Sequence, residues 1–156
     1  MDSPCPVGGM ATHFDLHILL EKEGWSPPSS TAQASMRIIK TKAGRQFIGK
    51  YKNSKANNIT KELQMMMHPF RPVAPLDCPL SIEIIYRFAY RKSEPRKNLD
   101  NEYMPHTTRP DSDNLLKLLL DSMNGVFFKD DSLLSKVSFY KQRGKRPLID
   151  IKLFKI

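Results

Sequence analysis

Apolar and polar residues change their period several times along the chain, and each change marks an element. FDLHILL (14–20) alternates enough to form a β-strand, and EKEGWSPPSSTAQ breaks the run after it. SMRIIKTKAGRQFIGK (35–50) predicts a hairpin of two β-prone arms turning around Ala43 and Gly44. From 54 to about 67, Ile59, Leu63, Met66 and Met67 recur at helical spacing until Pro69 stops them, and the run Met65, Met66, Met67 reads as core filler. LSIEIIYRFAY (80–90) is β-branched and aromatic, as a well-buried strand should be. The polar stretch 91–110, with Pro95 and Pro105, reads as a long loop. At the C-terminus, LLSKVSFYK and PLIDIKLFKI flank QRGKR, the pattern of a second hairpin.

Strands before and after two helices, without regular βαβ alternation, predict an α+β fold in which a mixed sheet packs against helices. A chain of 156 residues suits one domain. The Pro- and Gly-rich residues 1–12 are expected to form a flexible N-terminal tail, with the domain over 13–156. No repeat or low-complexity tract interrupts it.

Composition narrows the partners. Lys and Arg number 25 against 16 Asp and Glu, a net charge of +9, which suits contact with nucleic acid, where cations displace condensed counterions from phosphates. A merely solvated basic surface is the alternative. The candidate DNA contacts are Arg37, Lys40, Lys42 and Arg45 on the first hairpin, Arg109 in the loop, and Lys141, Arg143, Lys145 and Arg146 near the C-terminal turn. Cys5 and Cys78 form neither a CxxC pair nor a metal-spaced set, so thiols in a reducing cytosol are expected. The N-terminus lacks an export signal and no segment is apolar for the roughly 18 residues of a membrane helix, so a soluble cytoplasmic protein without a membrane partner is expected.

The acidic residues run against this background. RPDSDNLLKLLLDSMNGVFFKDDS (109–132) holds five aspartates, Asp111, Asp113, Asp121, Asp130 and Asp131. Asp113 can N-cap a helix from 114 to about 123, with Gly125 near its C-cap. At 100° per residue, Asp113, Lys117, Asp121 and Asn124 share one polar stripe, while Leu115, Leu116, Leu119 and Met123 form the face that packs on the sheet. Asp111 and Asp113, if extended, point the same way about 6–7 Å apart. Capping and helix-dipole compensation explain this pair as readily as chemistry does, and Asp130 and Asp131 also suit an ordinary turn.

Convergence of the two pairs would change the reading. Close carboxylates repel unless a cation sits among them, and hard oxygen ligands suit Mg²⁺ or Mn²⁺. Counting Asp111 as the first ligand of a calcium loop puts Leu116 where a glycine is needed and Ser122 where a bidentate Glu is needed, which excludes an EF-hand. Metal-bound carboxylates in a basic protein point to phosphodiester cleavage, with Lys117 available for phosphate charge or for an i,i+4 ion pair with Asp113 or Asp121.

The series DSDNLLK, DSM and DD over 111–131 resembles the D-x-D-N-x-x-K, D-A-L and late D-D of the RusA family of Holliday junction resolvases. FDLHILL followed by SPPSS resembles that family's opening strand and Pro-Pro turn. The resemblance implies catalytic residues at Asp111, Asp113, Lys117 and Asp131, and metal ligands at Asp111, Asp113 and Asp131, with Asp130 as a further candidate. It implies Mg²⁺, or Mn²⁺, as cofactor. It further implies a homodimer with two sites that cut opposed strands of a four-way DNA junction during recombination and repair. Phe127, Phe128 and Phe139 are candidates for the subunit contact or for the core. A nuclease for other branched or flap DNA and a non-catalytic basic DNA-binding protein remain as alternatives.

Overall fold

Residues 16–29, 35–51 and 54–156 are described in a computed structural model, so the expected tail, Cys5 and the first two residues of the opening strand lie outside the described residues. In chain order the elements are β1 (Leu16–Leu20), β2 (Ser35–Lys40), β3 (Gln46–Tyr51), α1 (Ser54–Met67), β4 (Leu80–Ala89), α2 (Arg96–Leu99), β5 (Tyr103–Pro105), α3 (Ser112–Met123), β6 (Leu134–Gly144) and β7 (Leu148–Lys155). Five strands form one sheet in the order β1-β7-β4-β6-β5, and β2 with β3 forms a separate two-stranded ribbon. The mixed sheet with helices is the α+β architecture expected.

The longest unbroken apolar strand pattern takes the central position. Leu80, Ile82, Ile84, Tyr86 and Phe88 of β4 are buried, while Glu83, Ile85 and Arg87 between them are half-buried on the opposite face. That alternation fits a sheet with one face on the core and the other toward solvent. The core is closed by Leu63 and Met67 of α1 and by Leu115, Leu118, Leu119 and Met123 of α3. Each such side chain contributes about 1.5–3 kcal/mol relative to exposure. Of the three consecutive methionines, Met67 is core and Met66 packs against it, but Met65 is exposed. Phe127 and Phe128 are fully buried and so belong to the core; Phe139 packs against it. Tyr86 donates its hydroxyl to the carbonyl of Pro28 at 2.6 Å, tying the Pro-Pro segment to the central strand. Burial raises the Tyr86 pKa, which keeps the hydroxyl a donor.

The C-terminal segments do not form the expected hairpin. β4 lies between β6 and β7, parallel to the first and antiparallel to the second. Two strands one position apart need a connection of about 10 Å, and residues 145–147 supply it across the end of β4. The parallel β4–β6 pair in turn requires a crossover, and α3 provides it. One βαβ unit is thus embedded in a sequence without regular βαβ alternation.

The 91–110 stretch is not a structureless loop. α2 interrupts it, and β5 pairs antiparallel with β6 through Tyr103↔Gly144 and Met104↔Arg143. Gly144 is required there: a Cβ would stand 2.6 Å from the Glu102 carbonyl oxygen. The Arg87 guanidinium covers the Tyr103 ring, 4.5 Å from its centroid, which holds the edge strand down.

Candidate active site

α3 forms because its leucines recur on one face, and its ends are set by residues that cannot continue it. Asp111 is the N-cap, with extended backbone at φ −71° and ψ 144°. Gly125, at φ +76°, follows the C-cap Asn124 and turns the chain back in a conformation that suits glycine. The cap is therefore two residues earlier than sequence spacing suggests, and Asp113 lies inside the first turn. Leu118 and Ser122 join the buried face, whereas Leu116 is only partly buried; Ser122 satisfies its hydroxyl on the Leu118 carbonyl at 2.7 Å.

Neither carboxylate at this end is consumed by capping. The Asp111 side chain makes no cap hydrogen bond, and Asp111 and Asp113 are both exposed. Lys117, one turn on, is exposed and approaches Asp121 at 3.9 Å rather than Asp113. An exposed i,i+4 pair at that distance is worth no more than a few tenths of a kcal/mol, so Lys117 can leave it for a phosphate at little cost. The α3 N-terminus also offers its unpaired backbone N–H groups to an anion.

The second carboxylate pair sits elsewhere. Asp130 accepts a hydrogen bond from the Ser132 backbone N–H at 2.9 Å and caps the 3-10 turn Asp131–Leu133. Those bonds to Ser132 lower the Asp130 pKa. Asp131, exposed, opens that turn, just before β6 begins. The turn reading thus accounts for Asp130, while Asp131 serves no cap.

The two pairs lie at opposite ends of α3. The 12 residues of that helix span about 18 Å. Its start is held beside the far part of β6, where Lys141 donates to the Pro110 carbonyl at 2.6 Å. Its end leads to Lys129, which pairs with Asp77 near the start of β4. Among the described residues no group of three or more His, Cys, Asp or Glu side chains is close enough to hold a metal ion. The expected convergence of Asp111, Asp113, Asp130 and Asp131 does not occur within one chain, because the chain passes once along the sheet between them.

The cations divide into three groups. Lys40, Lys42 and Arg45 are exposed around the β2–β3 turn, and Arg37 lies on β2 opposite Gly49. Arg109 and Lys145 are also exposed. Arg146 pairs with Glu21 at 3.0 Å beside a cleft of about 400 Å³ between the two loops. Lys141 and Arg143, in contrast, are occupied internally. Lys141 donates to the Thr108 and Pro110 carbonyls, and Arg143 pairs at 3.2 Å with Glu94, whose side chain is buried. They brace the approach to Asp111 and are not placed as open phosphate contacts.

That brace was not visible in the sequence. Asn98 donates to Glu94 at 2.6 Å, and Arg91 donates to the Thr108 hydroxyl at 2.8 Å. His106 is buried against Phe88, ring centroids 5.0 Å apart, with its Nε2 3.3 Å from both the Thr108 hydroxyl and the Arg109 carbonyl. Among the described residues, His106 Nδ1 and Arg143 Nε are buried without a hydrogen-bond partner. Burial lowers the His106 pKa, the Arg109 carbonyl acts in the opposite direction, and the nearby Lys141, Arg143 and Arg91 lower it further.

Comparison with known proteins adds a lineage to this geometry. The family model described as "Endodeoxyribonuclease RusA" matches residues 27–154. A protein of Lactococcus phage r1t, named as a crossover junction endodeoxyribonuclease rusA, is 25% identical over 127 residues, which covers 81% of this chain and 90% of the phage protein. No helix of the described residues is long and apolar enough to cross a membrane.

Proposed function

The chain belongs to the RusA family of endodeoxyribonucleases, and we propose that it resolves four-way DNA junctions in the cytoplasm by paired nicks made from two sites of a homodimer. The observation that carries this reading is the state of the α3 N-terminus, where Asp111 and Asp113 are exposed, unclaimed by capping and one turn from an available lysine. The name of the phage relative supports the crossover-junction substrate.

The split between the carboxylate pairs supports an assembly of two chains. In a two-fold dimer each surface meets its own copy, so the β6 start of one protomer can meet the α3 start of the other. Each site would then combine Asp111, Asp113 and Lys117 of one protomer with Asp131 of the partner subunit, and Asp130 would hold the turn that presents it.

Carboxylates, as hard oxygen donors, suit Mg²⁺ or Mn²⁺, and Asp111, Asp113 and the partner's Asp131 would hold the ion. When bound, it supplies a water nucleophile at neutral pH and stabilises charge on the leaving oxygen. Lys117 offsets charge on the phosphate under attack, the α3 N–H groups orient it, and the exposed cations of the first hairpin hold the flanking strands. The brace of Lys141, Arg143 and Glu94 fixes the segment from which Asp111 projects.

The direct test is cleavage of a mobile four-way junction with and without Mg²⁺, beside a flap and a linear duplex of matched sequence. Symmetric nicking of the junction in Mg²⁺ alone supports the reading. Faster cutting of the flap would make this a nuclease for other branched DNA, and equal cutting of the duplex would remove structure selectivity.

A further inference from the structure

The β2–β3 ribbon has an arrangement that the cutting chemistry does not use. Its register sets Ile38 opposite Ile48 and Ile39 opposite Phe47, so the two pairs point to opposite faces. Ile38 and Ile48 are 67% and 71% exposed on one face, and Phe47 is 51% exposed on the other. A ribbon lying on a protein core buries one apolar face and shows a polar one. Here both faces show apolar side chains.

Its end is well built. The Thr41 N–H donates to the Arg45 carbonyl and the Gly44 N–H to the Thr41 carbonyl, each at 2.9 Å, and Gly44 takes the positive φ the turn needs. Lys40, Lys42 and Arg45 surround this tip, all exposed. Residues 24–61 contain eight Lys and Arg and no Asp or Glu. A second copy of so basic a hairpin would repel the first, whereas a polyanion would attract it.

We propose that this ribbon is a wedge that enters the branch point of the DNA, with Ile38, Ile48 and Phe47 against base-pair faces and Lys40, Lys42 and Arg45 on the phosphates around the opening. The inference deepens the proposed function and rests on it. In an open junction the base pairs beside the branch point are stacked on one side only, which leaves flat apolar surfaces that a linear duplex lacks. Phe and Ile are side chains that proteins insert between base steps, and a two-stranded ribbon is narrow enough to enter a groove. The wedge therefore selects branched over linear DNA, while the cations add affinity for both.

The experiment measures binding in EDTA to a four-way junction and to linear duplex, with 2-aminopurine placed either at the branch point or within an arm. The proteins are wild type, Phe47→Ser, the double variant Ile38→Ser with Ile48→Ser, and Phe47→Trp, each checked by urea unfolding and light scattering. Wild type is expected to raise emission from the branch-point probe only. Phe47→Ser and the double variant should each bind the junction about tenfold or more weakly, with duplex affinity, salt slope and unfolding midpoint unchanged. Phe47→Trp should keep the wild-type signal. Junction affinity unchanged in the serine variants overturns the wedge, as does an equal loss on duplex. Loss accompanied by a change in oligomeric state assigns the ribbon to a contact between copies and also overturns it. If wild type itself shows no preference for the junction, the proposed function fails as well; if wild type prefers the junction and the variants retain that preference, only the wedge fails.

Discussion

Lys141 of β6 holds the residue immediately before Asp111: its Nζ donates to the Pro110 carbonyl at 2.6 Å and to the Thr108 carbonyl at 2.8 Å. The register of a sheet strand is thereby passed to the start of α3. Lys141→Met should cost roughly 1.5–3 kcal/mol of stability, the range for hydrogen bonds to a charged group. Because small misplacement of a reacting group is costly, junction cleavage should fall by about tenfold or more while junction affinity changes little. Single-turnover cleavage beside a binding titration separates the two effects; a loss of affinity alone would return Lys141 to the set of phosphate contacts.

Arg143 and Glu94 are only 18% and 4% exposed, and they meet at 3.2 Å. Removing one partner leaves a buried charge, at a cost of about 3–5 kcal/mol. Arg143→Met should therefore lower the urea midpoint strongly and leave the salt dependence of duplex binding unchanged. Neutralising Lys42 should do the reverse, reducing the slope by about one counterion with no change in stability. Binding measured at several salt concentrations would contradict this division if Arg143→Met flattened the slope.

His106 gives the fold an acid-sensitive point. Burial beside Phe88 holds its pKa below the ordinary 6.5, so the imidazole is neutral in the folded protein. As pH falls through 6.5 the unfolded chain takes up the proton first, and stability declines until the folded imidazole is protonated as well. His106→Gln should remove that part of the decline. Urea unfolding of both proteins at pH 7.5 and pH 5.5 tests it, and the same loss in each would place the acid sensitivity elsewhere.

Local pattern made the helix over 54–67, the buried strand near 80–90 and the first hairpin readable, because each rests on a period within one stretch of chain. The pairing of β6 and β7 was not readable, since a turn signal between two strands does not reveal that β4 has inserted between them. The β5 edge strand was hidden for a related reason: three residues, the last of them Pro105, carry no period. At the site, spacing alone placed Lys117 on α3 and Asp111 and Asp113 near its start, although it put the cap at Asp113 rather than Asp111. What spacing could not give was distance. Asp130 and Asp131 are close in sequence to the end of α3, and the direction of that helix carries them away from its start. The Glu94–Arg143 tie was invisible because its partners come from distant parts of the chain that the sheet brings together.

The proposed sites are shared between two protomers, and complementation tests this most directly. Asp113→Asn and Asp131→Asn chains are each prepared as inactive, folded homodimers, then unfolded, mixed and refolded together, and the mixture is assayed on a four-way junction in Mg²⁺. If Asp111 and Asp113 act with Asp131 of the partner subunit, a mixed dimer has one intact site and one doubly defective site, so the mixture should nick one strand per junction. On a supercoiled cruciform plasmid it should give nicked circles, where wild type gives linear product. Silence from a mixture shown by differential labelling to contain mixed dimers would contradict the account, because it would mean that each chain builds its own site.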